Sequence, residues 1–297
     1  MHVVISGSSG LIGRSVVAAL RARGDEVTAL VRRPPAAGEA QWDPVAGSIE
    51  PGAFDGSDGV VHLAGAGIGD KRWSAPRRAE IVSSRVQTTT LLAHTLAGLG
   101  HPPTVLVSAS AVGFYGDRGD EVLTEESTGG TGFLAEVCRA WEEATEPAGQ
   151  AGIRVVRLRS GVVLSSGGGA LARQLPLFRY GIGGRLGSGR QWLSWITLAD
   201  EVRAILHALD EPAVHGAVNA TAPEPVTNRV FTRALGQALH RPSVLAVPGF
   251  ALRVVLGPDL ASEMVLAGQR VLPAKLTTTG FTFEEPRIDS ALTALLS

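Results

Sequence analysis

The chain has 297 residues, of which 44% are hydrophobic and 19% charged, and its formal net charge is -1. That length can bury a sizeable core without disulfides or metal, and the near-neutral balance excludes intrinsic disorder and a general nucleic-acid-binding surface. The single cysteine, Cys138, allows no internal disulfide and no multi-thiolate metal site, so a reducing, cytoplasmic compartment is the expectation.

His2 to Ser6 is a short apolar run followed at once by glycines, and it reads as a buried strand, not a signal peptide. Gly7-Ser-Ser-Gly-Leu-Ile-Gly13 then enters a helix running to Arg23, on which Leu11, Val16, Val17 and Leu20 recur at helical spacing before Gly24 ends it. Glu26 to Val31 is the second strand of a βαβ opening. The rhythm continues with a strand at Gly59 to Ala64, a helix at Arg78 to Leu99, a strand at Thr104 to Ser108, a helix at Phe133 to Ala148 and a strand at Arg154 to Leu158. This alternation predicts an α/β fold, a Rossmann-type doubly wound parallel sheet, with ligands at the carboxyl ends of the strands.

After Leu164 the texture changes. Glycine-rich stretches at Ser165 to Gly169 and Gly181 to Gly189 precede Trp192-Leu-Ser-Trp-Ile196, and loops of this kind usually cover a site. Helices are predicted at Ala199 to Leu209 and Asn228 to Leu239, with a short strand at Ala217 to Ala220 between them. A proline-punctuated tail carries two more, near Phe250 to Leu256 and Leu260 to Ala267. Residues from about 165 onward are read as contributing a smaller C-terminal lobe. No apolar run reaches membrane-spanning length, since Pro248 and Arg253 interrupt Leu245 to Leu256.

The glycine turn carries the chemistry. Gly7 permits the tight turn, Gly10 lets a pyrophosphate approach the backbone, and Gly13 lets the helix pack closely on the sheet. Free N–H groups around Ser9, Leu11 and Ile12 and the positive end of the helix dipole would hold the phosphates. A site for NAD usually has an acidic residue at the end of the second strand, where this chain has Arg32 followed by Arg33. Asp25 and Glu26 lie at the wrong end of that strand. A guanidinium there suits a 2′-phosphate, so NADP(H) is the expected cofactor, the competing reading being two solvated surface charges.

Together with the strand end His62-Leu-Ala-Gly65, the helix segment Arg85-Val-Gln-Thr-Thr89 and the strand-loop Ser108-Ala-Ser-Ala-Val-Gly-Phe-Tyr-Gly116, these residues resemble the extended, nucleotide-sugar-epimerase-like branch of the short-chain dehydrogenase/reductase superfamily. Further stretches are similar to its atypical "epimerase family protein" group: Phe133-Leu-Ala-Glu-Val-Cys138, Arg159-Ser-Gly-Val-Val-Leu164, Gly187-Ser-Gly-Arg-Gln-Trp192 and Gly268-Gln-Arg-Val-Leu-Pro273. The resemblance implies an NAD(P)-binding epimerase/dehydratase-like domain over residues 1–225 and a C-terminal domain of unknown function over 245–293. It also implies that Leu63, Ala64, Gly65, Arg85 and Ser108 line the cofactor and that Ser110 orients a substrate.

The superfamily's acid/base pair is missing. The chain has two tyrosines and two lysines, and Tyr115 and Tyr180 are each followed four residues later by glycine, so no Tyr-x-x-x-Lys exists. The alignment places Leu134 and Cys138 at those two positions and Arg85 where a helix asparagine is usual. Ser110, Tyr115 and Cys138 are therefore the candidate catalytic residues, with a buried structural role weighed against chemistry for Cys138 and a surface salt bridge weighed against anion binding for Arg85. Scattered histidines give no metal motif. The expected partner is a small-molecule substrate, with a possible homodimer, and no nucleic acid or membrane. An NADP(H)-dependent oxidoreductase or epimerase-like enzyme is the leading reading, and a non-catalytic NADP(H)-binding sensor the alternative.

Overall fold

The computed structural model describes residues 1–297. Its strands are β1 (His2–Ser6), β2 (Glu26–Val31), β3 (Glu39–Asp43), β4 (Ser48–Ile49), β5 (Gly59–His62), β6 (Val105–Ala111), β7 (Val122–Leu123), β8 (Arg154–Ser160), β9 (Val162–Leu164), β10 (Gly184–Leu186), β11 (Trp192–Leu193), β12 (Trp195–Thr197), β13 (Gly216–Ala220), β14 (Val226–Thr227), β15 (Leu245–Val247) and β16 (Arg270–Val271). The helices used below are α1 (Leu11–Ala22), α2 (Ala75–Ala97), α3 (Phe133–Glu143), α4 (Glu146–Gln150), α5 (Gly169–Arg179), α6 (Leu198–Asp210), α7 (Asn228–Ala238) and α8 (Gly249–Leu256).

Eight strands form one sheet in the order β13-β8-β6-β5-β1-β2-β3-β4, parallel throughout except for the β3–β4 pair. From β1 the chain winds outward through β2 and β3, then crosses back to β5, β6, β8 and β13. That reversal opens a crevice at the carboxyl ends of β1 and β5. The register sets Ser6 beside Leu30 and His62, and His62 beside Ser108, so the strand ends that face the crevice are level.

Val3, Val4 and Ile5 have no exposed surface because both sheet faces are covered. On one face α1 and α6 pack Val16, Leu20, Ile205 and Leu209 against Val3, Ile5, Val107 and Leu158. On the other, Leu92 and Leu96 of α2 and Ala148 of α4 cover Val4, Val60 and Leu106. A separate cluster builds the smaller lobe from Leu171, Leu175 and Phe178 of α5, Phe231 and Leu235 of α7, and Ile288 and Leu292 of the last helix, Ile288–Leu296. The helix Ala274–Thr278 returns to the main sheet, where Leu276 joins the first core. No helix is long and apolar enough to cross a membrane.

Several elements differ from the sequence expectation for local reasons. α2 starts at Ala75 because the Ser74 side chain caps the Arg77 N–H and Pro76 suits a first turn. The single helix expected over Phe133 to Ala148 is two, parting at Ala144 and Thr145 ahead of Pro147, which occupies the first turn of α4. α5 lies between the two glycine-rich stretches, where no helix was expected, and contains Pro176. The β3–β4 hairpin was likewise unanticipated.

Candidate functional site

The turn after β1 is shaped by its glycines. Gly7 has φ 73°, and a Cβ there would stand 2.7 Å from the Leu63 carbonyl carbon and 2.9 Å from the Ala64 nitrogen. A Cβ on Gly13 would come within 2.1 Å of the Gly7 oxygen, so α1 seats on the turn only with glycine at that position. Leu63, Ala64 and Gly65 thus form the wall that Gly7 leans on. Gly10 caps α1 without a side-chain hydrogen bond and the first turn holds no carboxylate. The backbone N–H groups of Leu11, Ile12 and Gly13 have no acceptor within the chain, and the Ser9 hydroxyl is exposed and unpartnered. A 12-residue helix with an uncapped start at the topological switch point is an anion site in waiting.

At the end of β2 the two arginines differ. Arg33 is engaged with Glu39 through Nη1 and Nη2 at 2.7 and 2.6 Å. Arg32 is exposed and makes no hydrogen bond or ion pair, which leaves it available to a ligand at that edge.

The three candidate catalytic side chains are committed elsewhere. Ser110 is buried and its hydroxyl donates to Glu142 Oε1 at 2.7 Å. Glu142, on α3, is gripped by Arg159 of β8 through Nε and Nη2 at 2.7 and 2.8 Å, and Arg159 Nη1 donates to the Tyr115 hydroxyl at 3.0 Å. That hydroxyl has acceptors in Asn219 Oδ1 at 2.7 Å and the Thr124 carbonyl at 3.0 Å. Desolvation opposes the Arg159 cation, but the Glu142 carboxylate outweighs it and holds its pKa above the ordinary value. Burial raises the Tyr115 phenol in spite of Arg159. Tyr115 has no exposed surface, and its hydroxyl is held within this network. Cys138 is buried beside Gly113, and its thiol is pushed up to about 12 by burial and then by Glu142, which makes it a packing group without thiolate character.

Arg85 stands closer to the crevice. Its guanidinium lies over Gly65 and holds the Ala66 carbonyl at 2.9 Å and the Ile81 carbonyl at 3.1 Å, with the Trp141 ring 5.0 Å away. No carboxylate pairs with it, its Nε has no partner, and burial lowers its pKa. It is therefore not the surface salt bridge weighed as the alternative. Ser108, expected to line the cofactor, is buried and its hydroxyl has no partner within the chain. His62, next to it, accepts and donates between Ser6 at 2.6 Å and Thr89 at 3.0 Å, and burial pulls its pKa down to about 4.

The sequence reading missed Glu142, Arg159 and Asn219, which tie β6, α3, β8 and β13 together. Their signal was present: Glu142 follows Cys138 by one helical turn, and two arginines alternate at Arg157 and Arg159 in a strand that should be apolar. It also missed Glu201 on α6, fully buried, which accepts from Ser160 at the end of β8 at 2.5 Å and whose pKa burial raises to about 7. A small crevice is lined by Val112, Val162, Trp192 and Leu193 together with Met264 and Gln269. Gln191 borders it, its amide donating to the Leu186 and Val265 carbonyls while its Oε1 is buried and unpartnered.

The model of the NAD dependent epimerase/dehydratase family matches residues 3–220. A second model, described as a domain of unknown function (DUF1731), matches residues 247–295. An epimerase family protein of Mycobacterium tuberculosis is 47% identical over 291 residues, covering 98% of this chain and 96% of its own. The crystal structure of human epimerase family protein SDR39U1 (isoform 2) with NADPH is similar at a TM-score of 0.93 and 35% identity, covering 100% of this chain and 99% of that one. A nucleoside-diphosphate sugar epimerase from Corynebacterium glutamicum is similar at 0.81 and 40% identity, with this chain covering 58% of that one.

Proposed function

Because this chain belongs to the NAD dependent epimerase/dehydratase family, we propose that it binds NADPH across the carboxyl ends of β1, β2 and β5 and acts as an oxidoreductase or epimerase-like enzyme on a small substrate. The observation that carries this reading is the uncapped start of α1 beneath a turn that only glycine fits, with Arg32 unpaired at the adjoining strand end. The N–H groups of Leu11, Ile12 and Gly13 would hold the pyrophosphate, and Arg32 the 2′-phosphate. When bound, the cofactor supplies a hydride at its nicotinamide. Within the chain, Arg85 fixes the Gly65–Ala66 wall and contributes an unneutralised positive charge there, while the apolar faces of Val112, Val162 and Leu193 keep water from the substrate crevice.

Fluorescence titration of NADPH and NADH tests the cofactor assignment. Charge-assisted hydrogen bonds contribute about 1.5–3 kcal/mol, so NADPH should bind roughly 10- to 150-fold more tightly, and Arg32→Asp should erase the difference. Binding of neither cofactor overturns the reading. Transfer of deuterium from [4,4-²H₂]NADPH, labelled at both C4 hydrogens, to a panel of carbonyl compounds then tests catalysis. A second reading, a cofactor-binding regulator without turnover, is favoured by the commitment of Ser110, Tyr115 and Cys138 to buried roles. Tight NADPH binding with no deuterium transfer to any acceptor selects it.

A further inference from the structure

The charge of the molecule is divided between its parts. Residues 161–199 and 225–258, which supply α5, β10, α7, β15 and α8, contain eight arginines and neither aspartate nor glutamate, whereas the rest of the chain has nineteen cations against twenty-eight anions. Of those eight arginines only Arg173 pairs with a carboxylate, Asp70. The same lobe exposes Tyr180 (82%), Val244 (87%), Phe250 (71%), Val254 (68%) and Val255 (66%).

These side chains belong to one stretch of surface. β10 and β15 pair, which sets the end of α5 beside the approach to β15. Arg241 donates to the Arg179 carbonyl at 3.1 Å, and Gly181 abuts Pro242. β15 leads through Pro248 into α8, where Phe250, Arg253 and Val254 share the outward face and Leu252 is buried. Arg72 caps the far end of that helix through the Val254 and Val255 carbonyls.

We propose that this face docks the protein on an anionic lipid bilayer. Apolar side chains standing out from the surface among unpaired arginines enter the acyl boundary while the guanidinium groups meet lipid phosphates, and a bilayer accepts such tips without needing a complementary groove. A second copy of the same face is disfavoured, since it would bring together two arginine-rich faces whose nearest carboxylates, Asp70 and Asp259, are already paired with Arg173 and Arg78. This peripheral contact departs from the expectation of no membrane partner, and it is independent of the crevice chemistry.

Vesicle flotation of the full chain tests it. On liposomes with about 30% phosphatidylglycerol at low salt the protein should float at least about tenfold more than on pure phosphatidylcholine, and the difference should collapse in high salt. Phe250→Ser with Val254→Ser should lose about tenfold of that binding while keeping the wild-type melting temperature and NADPH affinity, and Arg179→Glu with Arg253→Glu should do the same from the charged side. Failure to float on the anionic vesicles overturns the proposal, as does wild-type flotation of the apolar double variant. So does sedimentation showing that the wild type self-associates and the double variant does not, because the face would then be an interface between copies.

Discussion

Glu142→Gln is the substitution that interrogates the buried network most directly. Both partners of the Glu142–Arg159 pair are 6% exposed, so the variant leaves a guanidinium out of water with no anion to balance it. Breaking such a pair by removing one partner costs about 3–5 kcal/mol. Glutamine still offers an oxygen to Arg159 or to Ser110, which puts the expected loss near the lower bound, about 3 kcal/mol, or a fall in melting temperature of roughly 6–12 °C for a domain of this size. Arg159→Met should cost a similar amount, because Ser110 alone then satisfies the carboxylate. The double variant removes both charges and should be at least about 2 kcal/mol more stable than the sum of the single effects requires. Urea unfolding followed by circular dichroism measures all three. Additivity within about 0.5 kcal/mol, or single losses below about 1 kcal/mol, would refute the claim that the pair is a desolvated, interdependent unit.

Two other groups give simpler tests. Glu201 has a folded pKa of about 7 against an ordinary 4.5, so the folded state holds a proton that the unfolded state releases, and stability falls as pH rises through that interval and is level above it. Glu201→Gln has no such proton to lose and should gain on the wild type by about 3 kcal/mol between pH 4.5 and 8; parallel stability curves would contradict the assignment. Cys138, buried with its thiol raised to about 12, should resist iodoacetamide in the native state at pH 8 and react fully in denaturant, as intact-mass spectrometry would show; rapid native labelling would place the thiol at an accessible site.

What the sequence disclosed and what it hid follow from the range of the interactions involved. The glycine turn, Arg32 and the β1–α1–β2 unit were legible because their requirements are local: φ at Gly7, the Gly13–Gly7 approach, and strand and helix periods within thirty residues. α5 was hidden because Pro176 and the flanking glycines argue against a helix locally, and the helix is held by Leu171, Leu175 and Phe178 packing on α7 and the final helix. Ser110 and Tyr115 were found as residues, but the buried network that holds them was not. Nothing within ten residues of either announces Glu142, Arg159 or Asn219, which reach them across the sheet.

The absence of Tyr-x-x-x-Lys becomes more consequential beside those buried contacts. In an ordinary dehydrogenase site a phenol near a cation hands over the proton that accompanies hydride transfer. Here the phenol with a cation beside it, Tyr115, has its hydroxyl occupied on three sides and raised by burial, and Arg159 spends its charge on Glu142. Arg85 is the cation beside the crevice left without a carboxylate; burial lowers its pKa, yet a guanidinium still acts there as a hydrogen-bond donor and not as a proton source. If the chain reduces a substrate as proposed, an acceptor whose developing negative charge Arg85 helps to stabilise, with the proton arriving from solvent, would suit this site better than an alcohol that the protein must deprotonate. Under the proposed function, reduction of a polarised acceptor with NADPH is the direction these side chains suit, and Tyr115→Phe should then leave the rate unchanged beyond its effect on stability.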